Sequence, residues 1–153
     1  MNSIWTGWWY NPTMWSALFG WILAQTTKII CLFARSKRIN LSNLVSPGGM
    51  PSAHSAMASA LVTSVALRNG TSNPLFAVTL AFALVVMFDA QSVRRATGLQ
   101  AGILNQIIDE LFKSHRFSEH KLVELLGHTP LEVFVGLVMG IFIAMIVHAI
   151  AMA

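Results

Sequence analysis

Charged residues are scarce in this sequence. Only 10% of its 153 residues are Asp, Glu, Lys or Arg, whereas soluble domains carry about 25%. Hydrophobic residues make up 55% of the chain, and its mean hydropathy is +0.62. A chain this short corresponds to a single domain, residues 1–153. The scarcity of charge argues against a soluble protein and indicates an integral membrane protein.

Other absences exclude other classes of protein. A single cysteine, Cys31 within an apolar segment, excludes a disulfide framework. The net charge is +4, but the basic residues are not massed on one helix or arm, so we expect no nucleic-acid partner. The sequence also lacks paired cysteines and the His-Glu-x-x-His spacing, and we therefore predict no bound metal. No other cofactor is predicted.

Long apolar runs are what the sequence has instead. Each is long enough, or nearly so, to cross a bilayer as a helix, and the tryptophans before residue 12 are typical of the membrane–water interface. The predicted fold is all-α, an integral membrane helical bundle of about four transmembrane helices. The four runs cover approximately residues 12–34, 52–68, 75–92 and 130–152.

Residues 97–127 differ from these runs. Leu99, Ile103, Ile107 and Leu111 recur at helical spacing with polar residues between them. This pattern predicts an amphipathic helix that lies in the membrane interface or over the bundle. We interpret the segment as an insertion in the single domain and as a candidate gate for substrate.

The stretch Pro47–Ser55 contains two glycines followed by Pro51, which fits the first turn of a helix. The N–H groups of Ser52, Ala53 and His54 are then expected to point out of a helix N-terminus, which forms an anion site suited to phosphate. The alternative is a turn that caps a membrane helix and leaves a histidine at the interface. This stretch alone favours neither interpretation.

Alternating helices bring further polar residues to the same side of the membrane. Cations there can neutralise phosphate oxygens, one histidine can attack phosphorus while a carboxylate orients its ring, and a second histidine can protonate the leaving oxygen. The sequence therefore contains the residue types of a phosphoryl-transfer site. They are Lys28, Arg35, His54, Arg94, Arg95, His128 and Glu132.

Each of these residues also has a structural interpretation. Thr129 and Glu132 form a capping-box pattern around Pro130, so the glutamate can serve as a helix cap, as an orienting carboxylate or as both. His128 can be a helix-cap histidine, and the arginines can be interfacial cations or partners of Asp89. We interpret His148 as an interfacial residue.

Together these residues resemble the type 2 phosphatidic acid phosphatase (PAP2) superfamily, and in particular its divergent branch. Lys28 and Arg35 match the first motif, although Ser36 replaces its proline. Residues 51–54, Pro-Ser-Ala-His, match Pro-Ser-Gly-His with alanine for glycine. Ser92-Val93-Arg94-Arg95 resembles the opening of the third motif, which His128 and Glu132 complete after the insertion.

The resemblance implies a metal-independent phosphatase with His128 as nucleophile, Glu132 as its orienter and His54 as general acid. Lys28, Arg35 and either Arg94 or Arg95, with the backbone at Ser52 and Ala53, would hold the phosphate. The expected substrate is a membrane lipid phosphate such as phosphatidylglycerol phosphate, phosphatidate or a polyprenyl phosphate. A non-catalytic lipid-phosphate binder or carrier is the alternative.

Basic residues also predict the orientation. The site-side segments hold Arg35, Lys37, Arg38, Arg94, Arg95, Lys113, Arg116 and Lys121, whereas the opposite side holds only Arg68. Because cytoplasmic loops are enriched in Lys and Arg, we predict that the active site faces the cytoplasm. Four helices form a thin bundle, so a homodimer is compatible with the sequence.

Overall fold

The computed structural model describes residues 9–36, 49–111 and 127–152. Within these ranges the regular structure is all helical, which confirms the predicted fold class. Helix α1 spans Pro12–Ser36, α2 Ala53–Asn69 and α3 Pro74–Phe88. A π-helical turn, Asp89–Val93, joins α3 to α4 at Arg94–Leu111, and α5 spans Pro130–Met152.

Three of these helices begin at a proline that follows a capping residue. The Asn11 side chain accepts a hydrogen bond from Thr13 N at 3.0 Å, and the Asn73 side chain accepts from Leu75 N at 2.9 Å. Helix α5 begins after Thr129. Proline suits this first position because its missing N–H would have no partner inside the helix.

Helix α2 begins differently from the prediction. Ser52 is its N-cap, and Ser55 N donates to the Ser52 hydroxyl at 3.4 Å. Pro51 is buried and precedes the cap, so the expectation that it occupies the first turn is wrong. Pro51 therefore lies two residues before Ala53, the first residue of the helix, rather than inside it.

Small residues place α2 at the centre of the bundle, where it contacts α1, α3 and α5. Its alanines and serines allow close approach, and glycines on the neighbouring helices face it. A Cβ at Gly20 would lie 2.9 Å from Ala56 O, and one at Gly136 or Gly140 would collide with the α2 backbone. Membrane helices often associate through close contact between small residues, because no hydrophobic driving force acts between helices that lipid already surrounds.

Three of the described helical stretches are long and apolar enough to cross a membrane, namely Pro12–Ala34, Pro74–Asp109 and Pro130–Met152. Helix α2, the fourth expected span, has 17 residues and is not among them. It is about 26 Å long at 1.5 Å per residue. Its low hydropathy reflects its position, because its neighbours rather than lipid surround much of its surface.

The amphipathic pattern is helical as predicted, but its helix is not separate from the third apolar run. Helix α3 continues through the π-helical turn into α4, since no proline interrupts residues 75–111. Leu99, Ile103 and Ile107 are exposed on α4. The remainder of the predicted insertion, residues 112–126, lies outside the described residues.

The far end of the bundle holds a buried polar cluster that sequence analysis did not predict. His148 is only 6% exposed, and its Nε2 lies 2.6 Å from Ser64 Oγ. Ser64 Oγ also lies 3.0 Å from Thr13 Oγ1. His148 is therefore a buried residue that links α5 to α2 and α1. Its position at the membrane interface stays a prediction.

Candidate active site

The start of α5 builds the core of the site. Glu132 N donates to Thr129 Oγ1 at 3.3 Å, while Glu132 Oε2 accepts from Thr129 N at 3.2 Å. This reciprocal pair is the predicted capping box. The same Oε2 lies 2.9 Å from His128 Nδ1. Glu132 thus caps the helix and orients the histidine ring at once.

These contacts define which nitrogen of His128 can react. An ionised carboxylate only accepts hydrogen bonds, and Glu132 Oε2 already accepts from Thr129 N. Nδ1 of His128 must therefore carry a proton and donate it, which leaves the lone pair on Nε2. The His128 side chain is 6% exposed and that of Glu132 is 18% exposed, so the pair is largely shielded from solvent.

Two backbone hydrogen bonds attach this pair to the rest of the bundle. His128 N donates to Ala90 O in the π-helical turn at 3.0 Å, and Ser52 N donates to Glu132 O at 3.0 Å. Segments from three parts of the chain consequently meet at one end. Ala90 is 2% exposed, so the turn that receives His128 is itself packed.

His54 lies in the first turn of α2 and faces the same site. Its ring centroid is 6.5 Å from that of His128, with the two planes at 60°. The two rings are therefore neighbours in an edge-to-face arrangement. His54 is exposed whereas His128 is buried, so the two imidazoles occupy different environments.

Lys28 approaches the site from α1. It is only 6% exposed and interacts electrostatically with Glu132. Its alkyl chain lies against Gly49, where a Cβ would be 3.1 Å from Lys28 Cε and where φ is +91°. Gly49 thus allows the loop before α2 to cover the lysine, because a side chain there would crowd it and L residues rarely adopt this φ.

The structure changes the role predicted for Ser52. Its N–H donates to Glu132 O, and its hydroxyl accepts from Ser55 Oγ at 3.0 Å. Ser52 is fully buried, so it caps α2 and links it to α5, and its N–H is not available to phosphate. Ala53 and His54 lie in the first turn of α2, and phosphate binding there stays a prediction.

The three arginines are described only by their backbone. Arg35 lies in the last turn of α1, and Arg94 and Arg95 open α4 directly after the π-helical turn. These positions are at the same end of the bundle as His128 and Lys28. Their side chains lie outside the described part of the chain, so phosphate binding by them stays a prediction.

Two residues that contact the site, Ala90 and Gly49, were not predicted from the sequence as site residues. Ala90 acts through its carbonyl, which every residue has, and no side-chain pattern could reveal it. Gly49 carries a signal, since a Gly-Gly pair favours a turn, but its contact with Lys28 depends on the tertiary fold.

Comparison with known proteins identifies the family of the chain. A family model, that of the Divergent PAP2 family, matches residues 9–143. The "Uncharacterized membrane protein YuiD" of Bacillus subtilis (strain 168) is 39% identical over 147 residues, which cover 89% of this chain and 93% of that protein. No solved structure matches.

The described helices, three of them in stretches long and apolar enough to cross a membrane, define a helical membrane protein. The chain belongs to the Divergent PAP2 family.

Proposed function

We propose that the protein is a membrane phosphatase that hydrolyses a lipid phosphate monoester through a phosphohistidine intermediate. The observation that carries this proposal is the His128–Glu132 pair, 2.9 Å apart, with the His54 ring 6.5 Å away. A nucleophile held by a carboxylate and a second, separate imidazole are the groups that this reaction requires.

The reaction would have two steps. His128 Nε2 attacks phosphorus and the bond from phosphorus to the lipid oxygen breaks, while protonated His54 gives its proton to that oxygen and a lipid alcohol leaves. Water then attacks the phosphohistidine as neutral His54 takes a proton from it, which releases inorganic phosphate and restores His128. Lys28 and the arginines would neutralise the phosphate oxygens in both steps.

The membrane setting supports a lipid substrate. Lys28 belongs to an apolar spanning helix, and the site lies where α1, α2 and α5 approach one membrane surface. A lipid phosphate places its charged group at that surface while its hydrocarbon part stays in the bilayer. Phosphatidylglycerol phosphate, phosphatidate and polyprenyl phosphates all satisfy this description.

Phosphate release by the purified protein tests the proposal directly. We expect release from lipid phosphates that persists in EDTA, because the proposed mechanism uses no metal, and we expect vanadate, a phosphate mimic, to inhibit it. Protein that binds lipid phosphate without releasing phosphate would instead be the binder or carrier. A strict requirement for a divalent metal would contradict the mechanism.

The site is proposed to face the cytoplasm, with a homodimer left as a possible assembly. Helix α3 and the π-helical turn together have 20 residues, about 30 Å of helix, so Gln100 on α4 lies beyond the site-side surface. In a Cys31→Ser background, Ser72→Cys should react with an impermeant thiol reagent in intact cells, and Gln100→Cys should react only after permeabilisation. The reverse labelling pattern would place the site outside.

A further inference from the structure

An apolar groove follows the line where α1 and α5 meet. Three adjoining cavities of about 400, 340 and 480 Å³ form it. The first two share Leu23, Ile143 and Ile146, and the second two share Phe19, Val147 and Ile150. Because neighbouring cavities share lining residues, they form one groove along the helices, which is open to the lipid side.

One end of this groove adjoins the candidate active site. Val135 lines this end of the groove. It follows Glu132 by three residues, so the two side chains are neighbours on the surface of α5. On α1 the groove includes Thr26, two residues before Lys28. The charged cluster and the groove are thus consecutive along both helices.

The other end reaches the opposite membrane surface. Trp9, Tyr10 and Trp15 line it, and Trp15 stacks between Trp9 and Phe19 with ring centroids 6.0 and 5.5 Å apart. Tryptophan and tyrosine are enriched where a membrane meets water. The groove therefore runs from the charged cluster at one surface to an aromatic cluster at the other.

Its length exceeds the depth of one lipid leaflet. From Val135 to Ile150 the rise of α5 is about 22 Å at 1.5 Å per residue, whereas half of the hydrocarbon core is roughly 15 Å. The walls offer little to a polar ligand, because Thr26 Oγ1 already donates to Ile22 O at 2.8 Å and Trp15 Nε1 to Trp9 O at 2.9 Å.

We propose that this groove binds one hydrocarbon chain of the lipid phosphate in an extended form and favours chains that reach past the bilayer midplane. The inference rests on the proposed function for the position of the phosphate. A site with charged residues at one end and an apolar groove beyond it, among the residues that the structure describes, fits an amphiphile with a long chain better than a short phosphate ester. Groove residues near Ile146 would then determine chain-length specificity.

Tryptophan substitutions at two depths test this proposal. Ile146 is 57% exposed and lies eleven residues beyond Val135, about 16 Å along α5, so Ile146→Trp should block only long chains. Val138 is three residues beyond Val135, so Val138→Trp should obstruct short and long chains alike. Val85→Trp is the matched control, because Val85 is 68% exposed on α3 and does not line the groove.

Calorimetry in lipid nanodiscs should measure the binding of octyl phosphate and octadecyl phosphate to each protein. We expect the wild type and Val85→Trp to prefer octadecyl phosphate, and Ile146→Trp to lose about tenfold in affinity for it, the effect of roughly one lost methylene contact in an apolar pocket. Its affinity for octyl phosphate should not change. Phosphatidate, with two chains, should bind more weakly than octadecyl phosphate.

A preference for octadecyl phosphate that survives Ile146→Trp, or unchanged binding of both phosphates by Val138→Trp, would overturn the proposal. A change of oligomeric state in these variants, measured in detergent, would also overturn it, because the groove would then be an interface between two copies of the chain. The proposed function fails separately if the wild type binds both phosphates but releases phosphate from neither, since binding is measured without turnover.

Discussion

Replacing His128 with alanine is expected to abolish phosphate release. The imidazole is the proposed nucleophile, and without it no phosphohistidine can form. Two contacts hold this residue in place. Nδ1 of the His128 ring is hydrogen-bonded to Glu132, and the backbone N–H of His128 donates to Ala90 O. Mass spectrometry of rapidly quenched wild-type protein should detect a phosphorylated His128, and the variant should show none.

His54→Ala should behave differently from His128→Ala. Loss of a general acid typically costs about 10²–10⁴-fold in rate, and the loss should be smaller for substrates whose leaving group needs no proton. His148→Gln serves as the control histidine variant, because it retains a group that can bond Ser64 at the opposite end of the bundle. Near wild-type turnover by His128→Ala would refute the nucleophile assignment.

Glu132 connects this prediction to the fold. Glu132→Gln can keep an oxygen for the helix cap, but it removes the charge that stabilises the ring in its reactive tautomer, an effect that reaches about 10⁴-fold in a serine-protease triad. We therefore expect Glu132→Gln to reduce turnover strongly while the protein stays folded. The sequence left the two roles of Glu132 open, and in the structure a single oxygen makes both contacts.

Replacing Gly140 with leucine is expected to cause the largest loss of stability. Even a Cβ at this position would collide with Ala56 O and Ser59 Oγ and would lie 2.9 Å from Ala60 N. Two of these are backbone atoms of α2 that no rotamer change can move, so α5 must separate from α2. Overpacking usually costs about 1–3 kcal/mol, and we expect the upper end of this range or more.

Thermal unfolding in detergent measures this effect, with Ala149→Leu as the matched control on the exposed face of α5. The control adds the same side chain toward lipid and should leave the unfolding temperature almost unchanged. Gly20→Ala should be milder than Gly140→Ala, because its nearest neighbour would lie 2.9 Å away rather than in direct collision. Equal stability of Gly140→Leu and Ala149→Leu would contradict the close packing of α5 on α2.

Much of the fold follows from local patterns. Apolar runs predict the approximate positions of α1, α3 and α5, and the capping box at Thr129 predicts where α5 begins, as the described structure has it. The prediction was weaker where the neighbours of a helix decide its properties. From its sequence, α2 is predicted to be an ordinary transmembrane span like the other three. In the structure it is a short helix rich in small residues, and much of its surface contacts α1, α3 and α5 rather than lipid.

The candidate site was predicted in part for the same reason. The spacing of His128 and Glu132 defines a contact within one helical turn, and the structure has it at 2.9 Å. The approach of His54 and of Lys28 followed from helices that alternate across the membrane. The Arg35, Arg94 and Arg95 assignments, like the catalytic roles themselves, stay predictions.

The sequence by itself determined the elements whose causes are local, namely the apolar helices, their caps and the His-Glu pair. Only the tertiary structure decided which polar groups are already used. Ser52 N–H donates to Glu132 O rather than to a ligand, and His148 is hydrogen-bonded to Ser64, a partner that the sequence did not indicate. The physical reason is that a buried donor or acceptor must find a partner, and in these cases that partner lies on another helix, far away in the sequence.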